Sequence, residues 1–121
     1  MLITGAASGI GAATAKMAVE RGHKVVLADI NVDGARAIAD QLGEASIAVK
    51  LDIVSPAEWE NAFDTTWKSF GRLDVLINNA AIVHTGYARD VSIERHRQTM
   101  DVNFLGPVTG ALAALPRFKA Q

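Results

Sequence analysis

The chain has 121 residues, half of them apolar, and a formal net charge of −1, which suits a soluble globular domain, or part of one, with a single core and offers no basic surface to a nucleic acid. It contains no cysteine, which excludes disulfides, thiolate metal sites and a cysteine nucleophile and fits a reducing, cytoplasmic setting. The start, Met1-Leu2-Ile3-Thr4, lacks the basic n-region of a signal peptide, and no apolar run approaches the roughly 20 residues that cross a bilayer, so neither membrane nor nucleic acid is expected as a partner.

No internal repeat or low-complexity tract interrupts the chain. Residues 2–4 read as a strand ending at Gly5, shorter than the usual length of about 5–6 residues. Residues 9–21 form an alanine-rich helix stopped by Gly22. Residues 24–29 (KVVLAD) are an apolar run of strand length. Residues 31–42 show helical periodicity through Ala35, Ile38, Ala39 and Leu42, closed by Gly43. Residues 46–51 (SIAVKL) read as a third strand ending at Asp52. Ser55-Pro56-Ala57-Glu58 opens the next helix: Ser55 caps, Pro56 fits the first turn and Glu58 completes a capping box. On that helix Trp59 and Trp67 are expected to pack against the sheet. Gly71 closes it, and residues 73–78 (LDVLIN) read as a fourth strand. Ser92 then caps a long helix reaching about residue 119, with Met100, Phe104, Val108, Leu112 and Leu115 on one apolar ridge.

This is a βαβαβαβα pattern. Continuous apolar strands alternating with helices predict an α/β fold with a parallel sheet covered on both faces. Right-handed crossovers make it doubly wound, with strand order 3-2-1-4 by analogy with dinucleotide-binding sheets. The carboxyl ends of the first and fourth strands then bound a crevice, where residues 5–11 and 78–81 fall.

Residues 4–11 read TGAASGIG. A glycine turn between a strand and a helix can bring an anion onto free N–H groups and the positive end of the helix dipole. Gly5 can make the tight turn, Gly9 can let backbone approach an anion, and Gly11 can let the helix pack closely. Ser8 could donate to a phosphate oxygen. A Walker A loop needs four residues between its glycines and a following lysine; neither is present, which argues against an ATPase. The alternative is a helix-entry turn with packing glycines. Asp29 ends the second strand about 20 residues after the loop, where a carboxylate accepts from ribose hydroxyls and repels a 2′-phosphate. With serine rather than a cation at position 8, NAD is favoured over NADP. Asp29 could instead cap the helix that follows. Asp52 and Asn78-Asn79 put further polar groups at strand ends.

Together these stretches resemble the short-chain dehydrogenase/reductase family: TGAASGIG, Asp29, LDI (51–53), NNAA (78–81) and VNF (102–104) stand in family order across essentially the whole chain. The resemblance implies a Rossmann-type sheet, here one partial NAD(P)-binding domain over residues 1–121 that ends before the family's fifth strand. Gly5, Ser8, Gly9, Ile10 and Gly11 match the pyrophosphate turn. Asp29 matches the ribose-binding acid, with Ile30 beside the adenosine, and Asp52 and Ile53 match the pair at the adenine. In the family's Asn-Asn-Ala-Gly motif, Asn78, Asn79 and Ala80 match and Ala81 replaces glycine, putting a methyl near the nicotinamide ribose. Asn103 matches the active-site asparagine. Independently, Pro107 has no N–H for the carbonyl of Asn103. That carbonyl is then free to hold a water, as in the family's proton relay, unless the proline is a plain kink relieved by Gly106 and Gly110.

The family's chemistry also needs a serine and a Tyr-x-x-x-Lys. The one tyrosine, Tyr87, is followed four residues later by Val91 and precedes the asparagine helix, so it is expected to line or cover the cleft and not to act as acid or base. His23, His84 and His96 show no metal-ligand spacing; His84 is expected on a surface loop, with substrate contact as the alternative. The resemblance thus implies the cofactor half of an NAD-dependent oxidoreductase acting on an alcohol or ketone, the alternative being a non-catalytic dinucleotide-binding module or inactive fragment. A homo-oligomer is expected through the long helix 92–119 or the exposed fourth-strand edge.

Overall fold

The computed structural model describes residues 1–87 and 89–121. Four parallel strands, β1 (Leu2–Thr4), β2 (Val25–Asp29), β3 (Ser46–Lys50) and β4 (Leu76–Ile77), form one sheet in the order β3-β2-β1-β4. The helices are α1 (Gly9–Glu20), α2 (Val32–Leu42), α3 (Pro56–Phe70), α4 (Ile93–Met100) and α5 (Gly106–Lys119). In register, Ile3 lies between Leu27 of β2 and Ile77 of β4, and Leu27 faces Ala48 of β3. The expected doubly wound order is the one found.

Side chains alternate across the sheet, because successive residues of a strand point to opposite faces. Leu2, Val26, Ala28 and Val49 join Trp59, Ala62, Phe63 and Ala114, so α3 and α5 cover one face. Ile3, Val25 and Leu27 join Ala15, Ala18, Ala35 and Ala39, so α1 and α2 cover the other. The alanines of α1 and α2 bring those helices close to the sheet, while large aromatics fill the opposite layer. Trp59 is fully buried, stacks on Phe63 at 5.6 Å between ring centroids, and donates from Nε1 to the Ile53 carbonyl at 2.9 Å. Trp67 is partly buried against the same core.

Three local readings need correction. First, β4 is two residues long, not the six of LDVLIN. Leu73 is buried, but its N–H donates to Gln121 Oε1 at 3.0 Å and its carbonyl accepts from Gln121 Nε2 at 2.7 Å. A side-chain amide thus satisfies backbone groups that a strand would have used. Second, the capping box is only half formed. Ser55 Oγ accepts from the Glu58 N–H at 3.3 Å, but the Glu58 carboxylate passes over Ser55 to the Asp52 N–H at 2.7 Å. The Ser55 N–H goes to the Asp52 carbonyl instead, at 3.0 Å. Third, the long helix is not uniform: Asp101–Leu105 between α4 and α5 is a π-helical turn, in which the Gly106 N–H donates five residues back to Asp101. The turn sits just before Pro107, which has no N–H to give.

The apolar ridge of this helix also lies outside the core. Met100, Phe104, Val108, Leu112 and Leu115 are exposed. Val102, Ala113, Ala114 and Phe118 face inward instead. Gly106 and Gly110 are contact points rather than relief for a kink: a Cβ at Gly106 would stand 2.7 Å from Ile53 Cδ1, and one at Gly110 would overlap the Trp59 indole.

Candidate functional site

The carboxyl ends of the strands open onto a cleft of about 750 Å³. Its floor is built where β1 and β4 end. Thr4 is buried, and its Oγ1 accepts from the Asn79 and Ala80 N–H groups, each at 3.0 Å. Asn79 Nδ2 returns a bond to the Thr4 carbonyl at 2.9 Å and another to Gly5 at 3.3 Å. Asn79 therefore lines the cleft while its amide points into this lattice of bonds. Asn78 turns away, donating to the Pro107 carbonyl at 3.4 Å.

The glycine turn follows β1. Gly5 and Gly9 have φ of +66° and +52°, backbone that L side chains rarely adopt. A Cβ on Gly11 would overlap the Gly5 carbonyl and Asn79 Nδ2, and one on Gly5 would stand 2.8 Å from Ala80 Cα, so both are close-packed while Gly9 is open. Gly11 is buried beneath the turn and does not line the cleft. Ser8 stands before α1 with extended backbone, and its exposed side chain makes no capping bond. The amino end of α1 is thus left without a side-chain cap, the arrangement that suits an anion.

At the end of β2, Asp29 Oδ2 accepts from the Ala7 N–H and Oδ1 from the Asn31 N–H, both at 2.9 Å. The cap of α2 is Asn31, whose Oδ1 accepts from Gly34 N–H at 3.1 Å. Asp29 is therefore not that helix's cap, and it lines the cleft. At the end of β3, Asp52 Oδ1 accepts from the Val54 N–H at 3.1 Å. Glu58 clamps the Asp52 backbone from behind. That N–H holds the Glu58 carboxyl below its ordinary pKa; partial burial opposes the shift and the nearby Lys50 ammonium adds to it.

The far wall belongs to the π-containing helix. Asn103 sits in the π turn and pairs reciprocally with the backbone of Ile82: Oδ1 accepts from the N–H at 2.8 Å and Nδ2 donates to the carbonyl at 2.7 Å. His84 Nε2 lies 3.1 Å from Gln98 Oε1. The loop after β4 is thereby tied to α4 and the π turn.

Gly5, Ser8, Gly9, Ile10, Asp29, Ile30, Asp52, Ile53, Asn79, Ala80 and Ala81 all line the one cleft. Asn103 does not line it but holds Ile82, which does. Tyr87 does not line it: the residue is 74% exposed, with the Arg89 guanidinium 5.2 Å from its ring centroid. His84 is half-buried against Gln98 and outside the lining. Sequence reasoning missed Leu51, Val54, Ile82 and the helix wall of Glu94, Arg97 and Gln98 on α4 with Asp101 and Val102 of the π turn. The three- and four-residue spacing of Glu94, Gln98 and Asp101 is the signal that could have found that wall. Among the described residues no cluster of three metal-ligating side chains occurs, and no helix is long and apolar enough to cross a membrane.

Comparison with known proteins agrees with this geometry. The family model for short chain dehydrogenases matches residues 1–121. An uncharacterized oxidoreductase of Bacillus subtilis, YxnA, is 40% identical over 124 residues, covering 100% of this chain and 35% of that protein. A 3-alpha-(or 20-beta)-hydroxysteroid dehydrogenase of Mycobacterium bovis is 37% identical over 118 residues, covering 98% of this chain and 45% of that one. Among solved structures, a 3-ketoacyl-(acyl-carrier-protein) reductase from Brucella melitensis, complexed with NADH, superposes with a TM-score of 0.95 at 37% identity. That match covers 98% of this chain and 50% of the reductase. The chain thus spans half or less of the length of these three proteins. A family match from end to end, with a superposition at a TM-score of 0.95, places the chain in the short chain dehydrogenase family.

Proposed function

We propose that this chain is the cofactor-binding half of an NAD-dependent oxidoreductase, which transfers hydride between the nicotinamide and an alcohol or ketone. The observation that carries the reading is Asp29, whose carboxylate lines the cleft beside the glycine turn. In this reading Gly5, Ser8, Gly9 and Ile10 hold the pyrophosphate at the amino end of α1, and Gly11 packs beneath them to let the turn take that shape. Asp29 accepts from the adenosine ribose hydroxyls. Ile30, Asp52 and Ile53 bound the adenine, and Asn79, Ala80 and Ala81 face the nicotinamide ribose. Asn103 fixes the loop through Ile82, while its backbone carbonyl, which Pro107 cannot serve, is open to a relay water. The bound dinucleotide supplies the hydride chemistry; the chain's residues bind and orient it.

NAD is preferred because a 2′-phosphate would meet the Asp29 carboxylate. Titration calorimetry tests this: NAD binding about tenfold tighter than NADP, the equivalent of ~1.4 kcal/mol, is expected. Equal affinities overturn the preference, and binding of neither overturns the dinucleotide reading. A second reading, a dinucleotide-binding module without catalysis, is favoured by Tyr87, which stands outside the cleft. Alcohol oxidation by the 121-residue chain would remove that alternative. The exposed ridge of α5 and the edge strand β4 further support a homo-oligomer, because unpaired apolar edges and stripes seek partners.

A further inference from the structure

We propose that Asp29 is also the brace of the glycine turn: its carboxylate holds the residue 5–11 loop in its anion-binding shape before any ligand arrives. Recognition of the ribose and of the diphosphate is then coupled through one side chain. The inference rests on reading the cleft as a dinucleotide site, and its test separates the two.

The turn needs a brace. Two of its residues, Gly5 and Gly9, stand in left-handed backbone, and glycine samples that region and its mirror about equally. The Ser8 side chain makes no capping bond to the helix it precedes; only its backbone carbonyl does, accepting from the Ala12 N–H at 3.1 Å. The contacts that hold the middle of the turn come from β2. The Ala6 N–H donates to the Ala28 carbonyl at 3.3 Å, and the Ala7 N–H donates to Asp29 Oδ2 at 2.9 Å. The first turn of α2 closes in behind, since a Cβ at Gly34 would stand 3.2 Å from the Ala7 methyl. Asp29 reaches that turn too, through the Asn31 N–H.

Charge points the same way. A carboxylate beside an anion-binding loop is unfavourable unless its oxygens are otherwise engaged. Each Asp29 oxygen already accepts a backbone N–H, and each keeps acceptor capacity for a ribose hydroxyl. A carboxylate serves two N–H groups on two oxygens; an asparagine has one acceptor oxygen and cannot serve both in this geometry.

The test compares ADP with 2′,3′-dideoxy-ADP, which keeps adenine and diphosphate but has no ribose hydroxyls for Asp29. Both are titrated into the chain and its Asp29→Asn variant. If Asp29 acts only on the ribose, the substitution leaves dideoxy-ADP affinity unchanged, or tightens it by removing a negative charge. With the brace, dideoxy-ADP binds about fivefold more weakly to the variant, despite the lost charge. Unchanged or tighter binding overturns the proposal. Equal binding of ADP and dideoxy-ADP by the unsubstituted chain sinks the ribose role alone, and the variant still judges the brace. No binding of either by the unsubstituted chain overturns both. Should Asp29→Asn fail to fold, a through-hydrogen-bond coupling between the Ala7 amide nitrogen and the Asp29 carboxyl carbon, sought in the ligand-free unsubstituted chain, decides it: presence supports the brace and absence overturns it.

Discussion

The two walls of the cleft are built by different means. On the β1–β3 side the strand ends are locked by backbone-directed side chains. Thr4 serves Asn79 and Ala80, Asp29 serves Ala7 and Asn31, and Glu58 serves Asp52. On the far side, a polar α4 and an apolar-surfaced α5 meet in a π turn. That wall packs on the core through Val102, Ala113, Ala114, Phe118 and two close-packed glycines, and side-chain bonds such as the reciprocal Asn103–Ile82 pair tie it to the cleft loop. The difference teaches that cofactor-facing geometry here rests on satisfied backbone groups, while the helix wall is positioned partly by close approach and leaves its apolar ridge to solvent. Orphaned backbone N–H groups cost more than the net worth of the bonds they make, which makes the first wall costly to disturb by removing one side-chain acceptor.

That contrast can be broken first at the aromatic layer between the walls. Trp59→Ala removes the fully buried indole against which Gly110 rests, and a loss of about 3–5 kcal/mol is expected in urea unfolding. Loss below ~1 kcal/mol would mean that α5 does not depend on that contact. Next, Thr4→Val keeps the shape but strands the Asn79 and Ala80 N–H groups; about 1–3 kcal/mol should be lost, together with faster amide exchange at both.

Smaller still is the pH response of Glu58. Its folded pKa is lowered, chiefly by the Asp52 N–H, so its stabilisation is complete above the ordinary carboxylate value and is lost as pH falls through the depressed folded one. Unfolding measured across acidic pH should show Glu58→Gln losing less stability on acidification than the unsubstituted chain. Parallel pH profiles would show that this clamp is not electrostatic. The smallest stability effect is expected from Leu112→Glu on the exposed ridge, within about 0.5 kcal/mol. Sedimentation should nonetheless show weaker self-association if that ridge is an interface, and unchanged association would move the expected contact to the edge of β4.

Much of the first wall was legible in the sequence. Left-handed backbone confines positions 5 and 9 to glycine, and a carboxylate at the end of an apolar strand marks Asp29 and Asp52. What those carboxylates do with their N–H partners was not legible, because Ala7 and Asp29 meet only after a crossover of 22 residues. Strand β4 was over-read for a related reason: nothing in LDVLIN reveals that Leu73 spends its backbone on Gln121, 48 residues away. On the second wall the helical period was plain, but the buried face was not. Large residues usually mark a core, and here α5 approaches the sheet partly through Gly106 and Gly110.

Gly110 carries a consequence for how this sequence can change. Every amino-acid replacement open to a glycine codon adds a Cβ, and at this position the Cβ lands on the Trp59 ring. The two positions are therefore not free to vary one at a time. A lineage that loses the glycine must first have reduced the tryptophan, or have let α5 ride outward and carry Asn103 and its hold on the cleft loop with it.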